Sequence, residues 1–180
     1  MANACERLSA LPPEAFAARL QQELSDRYGR WQHAEGTALA PGDWYATLAH
    51  AVQAEAPDWP TAVLLCRFAL AAETEASPSN SLWATEMLAR PSSAAILSAT
   101  LAAFRPEATA TPEDAKEFLR EVRHLLRASH GLRGQEVMET IRAALTGMQR
   151  GPCLGIVVAL LGAARTCQRL EEQLTCLPSP

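Results

Sequence analysis

Residues 151–162 read GPCLGIVVALLG, and this stretch decides the fold. Leu154, Ile156, Val157, Val158, Leu160 and Leu161 put apolar groups nearly all round a helical wheel. A surface helix keeps a polar face; one without such a face has to be surrounded by other elements. The stretch is therefore expected to be the central helix of a helical assembly. Gly151-Pro152 should start it, since proline suits the first helical position, and Gly162 should break it. A last helix then carries Cys167, Leu170 and Leu174, before a tail at Pro178-Ser179-Pro180.

Helical spacing continues upstream. Thr111-Pro112-Glu113-Asp114 has the form of a helix start: a threonine cap, a proline at the first position and acids against the positive end of the dipole. Phe118, Leu119, Val122, Leu125 and Leu126 form its apolar stripe, and it should stop near Ser129-His130-Gly131. A further helix over about Gln135 to Thr146 buries Val137, Met138, Ile141 and Leu145, with Gly147 to end it. In the first half, Pro12-Pro13-Glu14 opens a helix with Phe16, Leu20 and Leu24 four apart. Gly29 to Gly42 reads as a loop, after which Asp43 should cap a helix with Trp44, Leu48 and Val52 on one face. Pro57 and Pro60 interrupt, and Pro60 sits in the first turn of a helix carrying Val63, Leu64, Arg67, Phe68 and Leu70. Thr74 to Asn80 is a polar break; Leu82 to Ala89 and Ala94 to Phe104 are shorter helices split by Pro91. About eight helices and no strand is an all-α helical bundle. A boundary between Phe104 and Thr111 divides it into two packed subdomains, 1–107 and 108–177, followed by the tail 178–180.

Composition narrows the function. The 180 residues are 48% hydrophobic, enough for a sizeable core, and carry a net charge of −4, which argues against a strongly cationic, general nucleic-acid binder. No run of about 18 apolar residues exists, so no membrane span is expected. The opening MANACERLSALPPEAF lacks a basic segment followed by an apolar one, so no secretory signal is expected. The five cysteines, Cys5, Cys66, Cys153, Cys167 and Cys176, form no CxxC and no zinc spacing with histidine. Cys66, Cys153 and Cys167 stand among apolar residues and are expected as small buried hydrophobes, which fits a reducing, cytoplasmic setting. His33 and His50 have no acid or nucleophile at a telling spacing; His124 suits a helix edge, and His130 the helix end before Gly131. With no phosphate loop, GxGxxG, HExxH or GxSxG, no catalytic residue, metal or cofactor is expected.

The net charge hides an asymmetry. Residues 1–110 sum to −5, whereas Lys116 to Arg169 holds nine basic and four acidic residues. Lys116, Arg120, Arg123 and Arg127 fall at i, i+4, i+7 and i+11, one stripe of a single helix. Two readings are open. The stripe is a solvated face with local Glu113–Lys116, Glu117–Arg120 and Glu139–Arg142 pairs, or it contacts phosphate. Arginine dominates lysine there, and its planar fork suits phosphates and base edges.

From Leu132 to Leu174 the chain reads LRGQEVMETIRAALTGMQRGPCLGIVVALLGAARTCQRLEEQL. This resembles the C-terminal anticodon-binding region of bacterial-type glutamyl-tRNA synthetases. Five spaced elements carry the resemblance: Arg133-Gly134, the R-x-ALTG helix end Arg142 to Gly147, Gly151-Pro152, Leu160 to Gly162, and Arg169-Leu170. Leu8 to Glu23 and Thr61 to Ala69 are collinear with weaker family features. The family's catalytic domain needs HIGH-like and KMSKS-like motifs, and neither is present, so the chain is expected to lack synthetase activity and to be a truncated synthetase paralogue.

The resemblance implies two helical subdomains that bind tRNA. Arg142 matches an arginine that in the family reaches the first anticodon base. Gly151, Pro152 and Leu154 match the turn and helix start that lie against the bases, where Pro152 and Leu154 would offer an apolar surface to an unstacked base. Arg133, Thr146, Gly147 and Arg150 complete the expected RNA-facing set, and Lys116, Arg120, Arg123 and Arg127 are candidate phosphate contacts. The family's basic segment in the first subdomain is replaced here by Ala56-Pro57-Asp58-Trp59-Pro60, and Gly151 stands where Thr or Ser is common. The expected function is non-catalytic, modest-affinity binding or presentation of glutamate-type tRNA to a separate tRNA-dependent enzyme or synthetase. The alternative is a protein-interaction module that has lost RNA binding and docks such a partner.

Overall fold

The computed structural model describes residues 8–28, 37–70 and 81–177. Eight α-helices and no strand are found among the described residues: α1 (Pro13–Tyr28), α2 (Pro41–Glu55), α3 (Trp59–Cys66), α4 (Leu82–Leu88), α5 (Ser93–Ala103), α6 (Pro112–His130), α7 (Gly134–Thr146) and α8 (Leu154–Cys176). Short 3-10 turns at Leu8–Ala10, Arg67–Ala69 and Pro106–Thr109 join them. Of the loop expected over Gly29 to Gly42, residues 29–36 lie outside the described residues, as do the polar break at Thr74 to Asn80, His33, Cys5 and the tail 178–180; the loop's last two residues, Pro41 and Gly42, belong to α2.

The apolar helix is central, as its pattern requires. The helix α8 packs on α2, α5, α6 and α7 and on the turns at 67–69 and 106–109. Leu154, Val157, Val158, Leu160 and Leu161 are all buried. At Gly162 the backbone leaves the helical region, with φ 71 and ψ 176, so the break expected there is found, and α8 consists of two helical segments joined at a kink. Only glycine takes up that conformation without strain. The buried Trp44 of α2 donates its indole N–H to the carbonyl oxygen of Leu160 at 2.8 Å, fastening the first half of the chain to the central helix. Gln53 does the same for the N-terminal turn, donating to the carbonyls of Leu8 and Leu11 at 2.9 Å each.

Helix ends follow the side chains available. Thr111 caps α6 by accepting the Asp114 N–H at 3.1 Å, with Pro112 at the first position. Gly131 and Gly147 end α6 and α7 at φ 66, where a β-carbon would be strained. Asp58 caps α3, accepting the Thr61 N–H at 2.8 Å, and hydrogen bonds from the Thr61 side chain and backbone lower the pKa of its carboxyl. Asp43 is not a cap: α2 begins two residues earlier, because Pro41 fits the first helical position, and Asp43 falls in the first turn facing the dipole. Likewise α8 begins at Leu154 rather than Pro152, with Cys153 as its uncapped boundary residue. The helix α3 stops at Cys66, and Arg67 and Phe68 belong to the tighter turn that follows.

Leu125, assigned to the apolar stripe of α6, is 50% exposed, and Leu64, carried by α3, is 48% exposed. Each lies at the margin of its stripe, next to the polar face. The cysteines also divide. Cys66 is buried and its thiol is pushed up to about 12 by burial, whereas Cys153 is exposed and Cys167 half-buried, so only Cys66 fills the expected role. Alkylation at pH 8 followed by peptide mapping should modify Cys153 and Cys176 in the folded chain. Cys66 should react only after unfolding, because the thiolate is the nucleophile and burial suppresses it.

Candidate nucleic-acid interface

The expected RNA-facing residues gather at two ends of α7, a helix of 13 residues and therefore about 20 Å long. At its C-terminal end the turn 147–153 is built by the residues expected to read bases. The Thr146 hydroxyl donates to the Arg142 carbonyl at 2.9 Å and accepts the Met148 N–H at 3.1 Å. The Gly147 carbonyl accepts the Ser81 hydroxyl at 2.6 Å, and Ser81 in turn caps α4 by accepting the Ala84 N–H. Gly151 has φ 143, and a β-carbon there would lie 3.3 Å from Cδ2 of Leu65. Its glycine is thus required by backbone conformation, while the Leu65 methyl of α3 would need to shift only slightly to admit a β-carbon.

Arg142 spans this turn. It does not pair with Glu139, which is taken by Arg90 at 3.2 Å and by Gln135 at 2.8 Å. Its guanidinium instead donates to the Pro152 carbonyl at 3.0 Å. The other terminal nitrogen, Nη1, is buried without a partner, about 3.9 Å from where a β-carbon of Gly151 would stand. Burial lowers the Arg142 pKa, against the pull of Cys153 and Glu55. Pro152 is buried and Leu154 is 3% exposed, so the apolar stacking surface expected of them is absent; both face the core. Arg150 is exposed at the turn.

The other end of α7 is where α6 passes into it through 131–133. Arg123, Arg127 and Arg133 are exposed there. The Arg123 stem lies across Gly134: a β-carbon at Gly134 would come within 2.7 Å of Arg123 Cδ. On the same stripe, Lys116 pairs with Glu113 at 3.3 Å and Arg120 pairs with Glu117, two of the three local pairs expected. Lys116 also covers the start of α8, its stem over Gly155.

Sequence reasoning missed Arg169 as a structural group. Its guanidinium donates to the Leu145 carbonyl at the end of α7 and to the Phe68 carbonyl at 2.8 Å, tying three elements together. Burial pushes its pKa down to about 10, with Arg165 adding to the fall and Glu172 opposing it. No local signal marks it, since its helical neighbours three and four residues away are Arg165, Thr166, Glu172 and Gln173. In the first half, the 56–60 stretch is used structurally: Ala56 is buried, Asp58 is the cap, and Trp59 stacks on Phe16 at 5.1 Å with the Arg19 guanidinium 4.8 Å from its ring. His50, His124 and His130 are all exposed. Among the described residues no helix is long and apolar enough to cross a membrane, and no three His, Cys, Asp or Glu stand together as metal ligands.

Comparison with known proteins gives a consistent picture. A family model described as an anticodon binding domain matches residues 10–174. A glutamate–tRNA ligase 2 from Caldanaerobacter subterraneus subsp. tengcongensis is 33% identical over 92 residues, which is 51% of this chain and 18% of that protein. The crystal structure of a glutamate tRNA ligase from Elizabethkingia meningosepticum, in complex with its amino acid, superposes with a TM-score of 0.69. That match covers 95% of this chain and 30% of the ligase at 16% identity, and so shows a shared fold. The chain spans less than a third of the length of either relative.

Proposed function

The chain belongs to the anticodon binding domain family, and from that membership we propose that it is a non-catalytic tRNA-binding protein, cytoplasmic, that presents glutamate-type tRNA to a separate enzyme. The observation that carries this reading is the extent of the family match, residues 10–174. The second subdomain, 108–177, is the RNA-facing one, because the basic residues of the chain are concentrated there. In the base-reading turn, Thr146, Gly147, Gly151 and Pro152 shape the backbone, while Arg142 and Arg150 supply donors. Arg142 is held by Pro152 with Nη1 buried and unpartnered, so a base edge reaches that nitrogen only when the turn 147–153 rearranges around it.

The test is fluorescence anisotropy with a labelled glutamate tRNA transcript. Arg142→Ala should weaken binding by about 1–3 kcal/mol while leaving the salt dependence nearly unchanged, the signature of a base contact rather than a phosphate contact. Equal affinity of wild type and variant would remove Arg142 from the site. The protein-docking alternative draws support from the first subdomain, where Asp58 stands in the stretch that carries a cation in the synthetases. It is the reading that remains if the wild-type chain does not bind RNA at low salt.

A further inference from the structure

We propose that the corner where α6 passes into α7 is a separate anchor for the ribose-phosphate backbone, formed by Arg123, Arg127 and Arg133. The inference rests on the RNA-binding reading above and assigns the affinity to one place within it. It follows from where each charge of the basic block goes. Of the nine cations between Lys116 and Arg169, Lys116 and Arg120 are paired with Glu113 and Glu117. Arg142 and Arg169 turn inward onto backbone carbonyls. The block's four acids are also engaged: Glu117 with Arg120, Glu121 with Arg105, Glu136 with Ser92, and Glu139 with Arg90 and Gln135. That leaves Arg123, Arg127, Arg133, Arg150 and Arg165 without an acidic partner among the described residues, and the first three share one corner.

Geometry makes the corner more than a sum of charges. Arg123 and Arg127 are four residues apart on one face of α6, and Arg133, the boundary residue of α7, immediately precedes Gly134, on which the Arg123 stem lies. Gly134 leaves room for the Arg123 stem to lie flat across the start of α7. A stem already held on a surface loses less rotamer freedom when its head engages a ligand. Three arginine forks in one exposed group suit a run of phosphates, which they bind without regard to sequence. The corner and the base-reading turn stand at opposite ends of α7, about 20 Å apart, so an RNA touching both is fixed in register along that helix.

The test uses the full chain and a labelled glutamate tRNA transcript, titrated between 50 and 200 mM KCl. The triple variant R123Q/R127Q/R133Q should lower the slope of log affinity against log salt by about two to three, since each lost phosphate contact removes roughly 0.7–0.9. Its preference for glutamate tRNA over another tRNA should stay as in wild type. The triple lysine variant should keep the slope, and Arg165→Gln, away from the corner, should leave it unchanged. Unchanged far-UV circular dichroism and melting would show that each variant folds. If wild type binds and the glutamine variant retains its affinity and slope, the anchor is wrong and the RNA-binding reading stands. If wild type binds no tRNA at 50 mM KCl, that reading itself fails. Binding to phosphatidylglycerol vesicles that the glutamine variant loses, with no RNA binding, would assign the corner to lipid and overturn the proposal.

Discussion

Arg169→Met is expected to cost about 3 kcal/mol of stability and to lower the melting temperature by roughly 6–12 °C. Methionine keeps most of the stem but none of the donors. The Leu145 carbonyl is among the last four of α7 and has no partner within its helix, so Arg169 is what satisfies it. The Phe68 carbonyl sits in the turn after α3 and would be stranded at the same time. A hydrogen bond from a charged donor contributes about 1.5–3 kcal/mol, and two are lost. The relief of no longer burying a cation offsets part of this, since burial already pushes the arginine down to about 10. Thermal melting followed by circular dichroism measures the result. A fall of less than about 2 °C would show that the carbonyls find other donors, and that Arg169 does not hold α7, α8 and the turn at 67–69 together.

Gly155→Ala is expected to cost about 2 kcal/mol through overpacking. A β-carbon there would stand 2.5 Å from Lys116 Cγ, 2.9 Å from the Pro112 carbonyl oxygen and 3.3 Å from the Lys116 backbone nitrogen. The lysine stem can swing away, but the two backbone atoms belong to the first turn of α6 and move only if α6 and α8 separate. Valine at the same position should cost more than alanine. Urea unfolding should show a lower midpoint with an unchanged slope, meaning that the native state is destabilised without a change in the surface exposed on unfolding. An alanine variant as stable as wild type would show that the crossing of α6 and α8 is looser than these distances require.

Most of the fold is legible in the sequence because its signals are local. The spacing of Phe16, Leu20 and Leu24, the Thr111-Pro112 start and the glycines at 131, 147 and 162 each act within one turn of helix, and each is found where the pattern puts it. Boundaries shifted where two local rules competed, as at Pro41 and Asp43, both credible helix-start residues two positions apart. What the sequence could not reveal is which partner a long side chain chooses. Arg142 had Glu139 one turn away, yet Glu139 is drawn to Arg90 from another part of the chain, and Arg142 reaches Pro152 instead. Pro152 and Leu154 are a different case. The helical pattern already puts Leu154 in the central buried helix; the stacking surface expected of it and Pro152 is implied by the family resemblance, and both are buried. Arg169 was visible as part of the Arg169-Leu170 motif, while its two carbonyl partners, 24 and 101 residues away, were not.

The central claim is that this chain binds tRNA through its second subdomain. The most direct measurement is the anisotropy titration of a labelled glutamate tRNA transcript with the purified chain at 50 and 200 mM KCl. With about three phosphate contacts, affinity should fall roughly 20–40-fold between the two salt concentrations. An absence of binding at 50 mM KCl, by a chain shown to be folded, would contradict the account.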